Sequence, residues 1–444
     1  MKINWFCPLP PARTSIAGDY LAGILPSLSR ACELTLWTDQ ANWDRKLEHV
    51  ARVRHFDPYA ISWPELHQAD VTFYNIGNNH LFHAAIWQVS RRHPGIVVLH
   101  DLRVHNFFDS LYRGEWRDTA GYLAQMKHSY GDEGLRAASE FVNSGAVNID
   151  FMTEHYPLTL LALENCLAVL VHSPEAVAQV EALKQWPVAF AALPRTLPPQ
   201  VDTKPRAIEP PYRLIMFGYM GRNRRLDAVL EALAAMPERD AFRLDIFGDI
   251  PDGRNLRSRI RKLGLGHLVQ LHGYTPEDEL NAVLQTAQLA INLRYPTMGE
   301  ASGSQLRIWY HALPSLVTDI GWYSSLPRDT VAHVRHEHEH DDIQSHLRAF
   351  LENPEPFARM GQRGFRLLRE QHDPEKYVQT VLELATHAPR FRAQKSAYDL
   401  ARRAGMLMGS WTSNAGPEPI RIAEKIYEIY MSNKRVSEKS LTMK

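Results

Sequence analysis

At 444 residues the chain is too long for one core, since single domains hold roughly 100–200 residues, and its 45 per cent apolar content can fill two domains and a tail. Fifty Lys and Arg balance fifty Asp and Glu, which excludes a nucleic-acid binder that relies on an overall basic surface; an anionic partner has to be met by a local basic cluster. The three cysteines, Cys7, Cys32 and Cys166, stand far apart with no Cys-x-x-Cys pair, and neither a signal-peptide core nor an apolar run of roughly 18 residues occurs. A soluble protein of the reducing cytosol is expected, with contact at the inner face of the membrane left open.

From the first residue to near residue 320, short apolar runs alternate with longer amphipathic stretches, the pattern of βαβ units and a mostly parallel sheet. Strands are predicted at "INWFC" (3–7), "ELTLW" (33–37), "DVTFYN" (70–75), "GIVVLH" (95–100), "LAVLVH" (167–172) and "VAFAAL" (188–193), with helices such as "DYLAGILPSLSR" between them. Residues 101–165 form a long insertion, rich in aromatics and helix formers and without a strand pattern, of the kind that often carries specificity. Prolines 187, 194, 198, 199, 205, 210 and 211 keep the stretch Trp186–Tyr212 irregular for most of its length, so residues 191–211 read as a linker between a first domain, 1–190, and a second, 212–375.

The second domain repeats the pattern at "YRLIMFG" (212–218), "FRLDIFG" (242–248), "HLVQLHG" (267–273), "LAINLR" (289–294) and "SLVTD" (315–319). Residues 376–444 are helices and a tail that is expected to cross back to the first domain, with a break at "GSWTSNAGPEP". Two such halves set a cleft between two rows of strand C-terminal ends, where open α/β sheets bind ligands.

Four stretches border that cleft. In "FGYMGRNRRLDAVLEAL" (217–233) a strand ends in two glycines and Arg222, Arg224 and Arg225 precede a helix; guanidinium groups beside the positive end of a helix suit a diphosphate, although arginines in a turn can also be merely solvated. In "PTMGEASGSQLRIW" (296–309), Ser302, Gly303 and Ser304 begin a helix ended by Pro314 and can offer backbone N–H groups to a phosphate. Glu300, just ahead, can accept from sugar hydroxyls or simply favour the helix dipole. In "VVLHDLRVHNFF" (97–108), His100, Asp101 and His105 follow a strand end, where they can serve proton transfer or be structural. "PLPPARTSIAGDY" (8–20), with Ser15 and Tyr20, is a rigid loop or a helix cap. The run "RHEHEHDD" (335–342) reads as a solvated loop before a helix capped by Asp341 or Asp342, not as a metal site.

Taken in order from about residue 3 to residue 388, "PLPPARTSIAGDY", "VVLHD", "VHS" (171–173), "FGYMGRNRRLDAVLEAL" and "NLRYPTMGEASGSQLRIWYHALPSLVTDIGW" resemble the retaining glycosyltransferases of family 4, above all bacterial members that build O-antigen, capsule or exopolysaccharide chains. The resemblance implies the GT-B fold: two Rossmann-like domains facing across a cleft, a nucleotide-sugar donor held by the C-terminal one, and an acceptor approached from the N-terminal one. It implies that Arg224 holds the diphosphate with help from Arg222 and Arg225, and that Gly303 and Ser304 lie under the phosphates. Glu300 would bind the transferred sugar, with His100 and Asp101 beside the scissile bond and the acceptor. Gly248, Tyr274 and Arg307 join the donor side, and Ser15, Tyr20 and His105 the acceptor side. Two features depart: "RTSIAG" puts Thr14 and Ser15 where many relatives have serine and glycine, and the family's second glutamate, which binds ribose, falls on Ile308 or Arg307 according to the anchor, so Arg307 either reaches a phosphate or pairs with an acid.

The expected reaction is transfer of a hexose, mannose-like at first guess, from a nucleoside diphosphate sugar to a glycan or lipid-linked glycan, with retention. No residue stands out as a covalent nucleophile and no Asp-x-Asp marks a metal site, so no cofactor or metal is expected. The rivals are a sugar-nucleotide epimerase of the same fold and a non-catalytic partner in a polysaccharide assembly complex. The tail "RFRAQKSAYDLARRAGMLMGSW" (390–411) would either pack on the protein or lie on an anionic membrane.

Overall fold

The computed structural model describes residues 1–11, 20–197 and 209–411, together with residue 425. The first sheet has seven parallel strands, β1 (Lys2–Phe6), β2 (Glu33–Thr38), β3 (Arg52–His55), β4 (Val71–Ile76), β5 (Ile96–Leu99), β6 (Ala168–Val171) and β7 (Val188–Phe190), in the order β3-β2-β1-β4-β5-β6-β7. Its central strands are buried on both faces and therefore read as continuous apolar runs. Trp5 of β1 pairs with Phe73 of β4 and stacks on it at 5.0 Å.

The second sheet has six parallel strands, β8 (Tyr212–Phe217), β9 (Phe242–Phe247), β10 (Val269–Gly273), β11 (Leu289–Asn292), β12 (Ser315–Thr318) and β13 (Ala332–Val334), in the order β10-β9-β8-β11-β12-β13. Each sheet reverses its strand order once, between β1 and β4 and between β8 and β11, and the strand C-terminal ends beside these two switch points meet at one cleft.

Strand β3, with the sequence Arg-Val-Arg-His, escaped the sequence reading because an edge strand can carry charge on alternate positions and needs little apolar surface. The insertion is helical, its longest piece being Thr119–Asn143 with a kink at Gly131. At residues 336–338 the histidine-rich run forms a 3₁₀ turn leading into the helix Glu339–Glu352, with His336 stacked on Tyr295 and His340 paired with Glu231. Asp342 does not cap that helix: it accepts from the Arg335 backbone N–H at 2.8 Å and pairs with the Arg335 side chain.

Two features tie the halves together. The long helix Pro374–Trp411 packs on the helix Leu21–Ala31 of the first half, burying Tyr377, Val381, Ala388 and Phe391, and the Tyr377 hydroxyl lies 2.8 Å from that of Tyr20. The loop after β11 docks on the first half: the Arg103 N–H donates to Met298 O at 2.8 Å, and the Ser173 hydroxyl to Gly299 O at 3.4 Å. Gly299, at φ 75°, sits so close to Leu102 that an added Cβ would lie 2.6 Å from the Leu102 Cβ. No helix among the described residues is long and apolar enough to cross a membrane.

Candidate active site

The cleft encloses about 320 Å³. Its C-terminal wall begins where β8 ends. Gly218, at φ 106°, has no side chain to crowd the Arg224 guanidinium, whose Nη2 would stand 2.9 Å from an added Cβ. Gly248 works one layer below: its φ is 115°, and an added Cβ would fall 2.0 Å from Gly218 O, so it lets two strand ends pack and does not face the cavity. The 3₁₀ turn Arg222–Arg224 and the residue that caps it, Arg225, then send three arginines in different directions. Arg224 turns inward, donating to Asn292 Oδ1 at 2.9 Å and to Ser304 Oγ at 3.4 Å. It pairs with no carboxylate among the described residues, and its buried Nε has no hydrogen-bond partner. Burial, and then Arg294 nearby, push its pKa down to about 9. A buried cation left uncompensated is expensive unless an anion completes it.

Arg222 is exposed, while Arg225, at φ 56°, turns away and grips Glu339 through two nitrogens at 2.6–2.9 Å. Arg225 is therefore a structural cation of the second domain, contrary to its expected place on the donor, because the carboxylate that claims it arrives from a helix 114 residues later.

The helix Gly303–Tyr310 starts at the cleft, with Ser302 Oγ capping it by accepting from Gln305 N at 3.1 Å. Gly303 and Ser304 line the cavity at that start. Glu300 is held on both oxygens: Oε2 accepts from Met298 N at 2.8 Å and from the Thr297 hydroxyl at 3.1 Å, and Oε1 lies 3.1 Å from Arg294 Nε. Arg307 points away from the cavity, pairing with Glu277 and donating to Asn281 Oδ1 at 3.2 Å. Of its two expected fates, the acid partner is the one realised, and its place on the donor is corrected accordingly. Tyr274 is exposed beyond β10 and is not part of the wall.

The N-terminal wall is assembled from scattered segments. His100 follows β5; its Nε2 donates to Asn75 Oδ1 at 2.9 Å, and burial, then His172 and His83, hold its pKa well below the ordinary histidine value, so the ring is neutral. Asp101 accepts from Asn78 N at 2.6 Å, and removal from water, followed by the facing Glu300, pushes its pKa up to about 7. Tyr20 stands edge-on to His100 with ring centres 5.2 Å apart.

His105 does not reach the cleft. Its Nδ1 donates to Tyr156 O at 2.6 Å and its Nε2 contacts the Tyr122 hydroxyl at 2.8 Å, so both nitrogens are satisfied inside the first domain and the expected acceptor-side role is corrected to a structural one. Ser15 lies outside the described residues.

Several wall residues had no role from sequence. Arg294 aligns Glu300, Asn292 aligns Arg224, His172 packs its ring 4.9 Å from that of His100, and Arg195 enters from the stretch after β7 with its guanidinium 5.0 Å over Tyr310. The only signal for Arg294 was a cation closing an otherwise apolar strand pattern six residues before Glu300. Among the described residues the cleft thus sets three largely buried guanidiniums, Arg195, Arg224 and Arg294, against two carboxylates, Asp101 and Glu300, an excess of positive charge suited to an anionic group beside a hydroxylated one.

Two facing parallel α/β sheets with the cleft between them and a helical C-terminal region define a GT-B fold. Residues 200–367 match the family described as "Glycosyl transferases group 1", and the chain is a glycosyltransferase. Its fold is similar to that of HepE from Anabaena, solved with UDP and glucose: TM-score 0.57 at 13% identity, covering 87% of this chain and 99% of that one. Sucrose-phosphate synthase from Thermosynechococcus elongatus gives 0.59 at 15% identity over 87% and 98%. WaaG, a glycosyltransferase involved in lipopolysaccharide biosynthesis, gives 0.54 at 14% over 85% and 98%. A search of curated proteins returned no match.

Proposed function

We propose that the protein transfers a hexosyl group from a nucleoside diphosphate sugar to a glycan or lipid-linked glycan of a surface polysaccharide, with retention at the anomeric carbon, as in family 4. The observation that carries this reading is Arg224: a buried guanidinium with no carboxylate partner among the described residues, set beside a helix start. Arg224 and the N–H groups of Gly303 and Ser304 take the diphosphate and stabilise the charge that grows on it as the bond from the anomeric carbon to the phosphate oxygen breaks. Glu300, locked by Arg294, Thr297 and the Met298 N–H, accepts from hydroxyls of the transferred sugar. The neutral His100 ring, fixed by Asn75, borders the same sugar.

The acceptor hydroxyl attacks from the face the diphosphate leaves, and the departing phosphate oxygen takes its proton, so the wall need not supply a covalent nucleophile. Because guanidinium groups and a helix start neutralise the diphosphate, the proposed reaction runs without a metal, and EDTA is expected to leave the rate unchanged.

A thermal-shift screen against UDP-, GDP-, ADP- and dTDP-sugars identifies the donor, and nucleotide release is then measured with and without acceptor. Release that requires acceptor supports transfer. A changed sugar nucleotide without acceptor means an epimerase, and binding without turnover means a non-catalytic partner.

A further inference from the structure

A second cavity among the described residues is larger than the cleft. A groove of about 670 Å³ opens at the other end of the first sheet, beside the residues that lead into β6 and β7. The helix Thr119–Asn143 forms one wall and the helix Pro374–Trp411 the other. That volume lies within the roughly 300–1,000 Å³ usual for ligand sites.

Three properties of the lining narrow the ligand. Trp186 and Tyr398 supply aromatic faces. Gln394 lines the groove, and its buried Oε1 has no hydrogen-bond partner among the described residues, an acceptor that a small rotation of the amide would offer to a donor. The charge is unbalanced: Glu164 is taken by Arg91 at 2.8 Å and Asp399 by Lys395 at 2.7 Å, which leaves the exposed Arg402 and Arg403 with no carboxylate among the described residues. Aromatic faces, an acceptor for a hydroxyl and paired guanidiniums are together the complement of a sugar chain that carries carboxylates. A flat lipid surface would meet the exposed arginines but not Gln394 inside the groove.

We infer that this groove is a second, non-catalytic binding site for an acidic oligosaccharide, lying at the opposite end of the sheet from the transfer chemistry. The inference stands on the lining of the groove and does not require the proposed donor or stereochemistry. Fluorescently labelled trigalacturonate is titrated against the full chain, with maltotriose and phosphatidylglycerol-containing vesicles as comparators.

Trigalacturonate is expected to bind more tightly than maltotriose. The double substitution Arg402→Ala with Arg403→Ala should weaken it about tenfold or more, since each lost charge-assisted hydrogen bond is costly. Gln394→Leu should weaken it by about threefold or more at unchanged circular dichroism. Arg224→Ala, in the cleft, should leave this affinity as it is while abolishing transfer, which separates failure of this site from failure of the proposed reaction. Unchanged affinity in the double arginine variant, loss of affinity in Arg224→Ala, equal binding of maltotriose, or binding to the vesicles alone would overturn the inference.

Discussion

The two walls of the cleft are built in different ways. The C-terminal wall comes from two contiguous runs, Gly218–Arg224 and Asn292–Leu306, in which each strand end feeds directly into a turn or helix start. The N-terminal wall draws Tyr20, Asn75, His100, Asp101 and His172 from separate segments, and a tyrosine from the far end of the chain, Tyr377, backs it. Charge divides along the same line. The C-terminal wall holds Arg224 and Arg294, and the N-terminal wall holds histidines kept neutral by burial and a carboxyl pushed toward protonation. In the proposed reaction one wall would bind the leaving anion, and the other would border the sugar without competing for that anion.

Removing the central cation should show the contrast most strongly. Arg224→Ala is expected to lower kcat/KM about 100-fold or more, as loss of a group aimed at developing charge does elsewhere. Its neighbour Arg225→Ala should leave turnover within about threefold and instead lower the melting temperature, because buried Glu339 loses its bidentate partner. A similar loss of turnover in both would erase the distinction between the inward and the outward arginine.

Next in size, Glu300→Gln should cost about 10- to 100-fold in kcat/KM, since the amide loses the ion pair with Arg294 and presents its donor group to sugar hydroxyls. Full activity would mean that the sugar is gripped elsewhere.

Asp101 makes the N-terminal wall sensitive to pH. Its carboxyl ionises near 7 in the folded protein rather than at the ordinary value of 3.8, because of burial first and Glu300 second. A carboxyl raised in this way stays protonated in the folded state where the unfolded chain has already lost the proton. The stability it lends is complete below about pH 4 and is lost as pH rises toward 7. The melting temperature of the wild type should therefore fall relative to that of Asp101→Asn between pH 4 and pH 7, and parallel curves would contradict the assignment.

The smallest effect is expected at Tyr377→Phe. It removes one buried hydroxyl contact to Tyr20 and should cost about 1 kcal/mol in urea unfolding, with turnover little changed.

The difference between the walls also explains what the sequence disclosed. Strand runs and the C-terminal motifs were legible because their information is local: a strand end, a glycine and a helix start stand within a dozen residues, while residues 198–208 of the expected linker lie outside the described residues. Arg224 and Glu300 were expected at the cleft on that ground, and both line it. Arg225 was misplaced because a single left-handed residue reverses its direction and its partner, Glu339, is remote in sequence. His105 was misplaced because spacing from a strand end does not show which way the following helical turn faces, and here it faces Tyr122 and Tyr156. Arg294 and Asn292 stayed hidden inside a strand pattern, where an orienting residue looks like any polar interruption. Arg195 lay in a proline-rich stretch read only as a connection, yet its backbone N–H is pinned to His372 O at 2.9 Å and its side chain faces the cleft.

The central claim is transfer with retention from a nucleoside diphosphate sugar held by Arg224 and the helix start. The most direct test is proton NMR of the anomeric centre in product collected over the first turnovers, with the donor found by the screen and a defined acceptor. The account predicts a new glycosidic linkage of the same anomeric configuration as the donor, absent with Arg224→Ala. An inverted linkage, or product formed by Arg224→Ala at the wild-type rate, would contradict it.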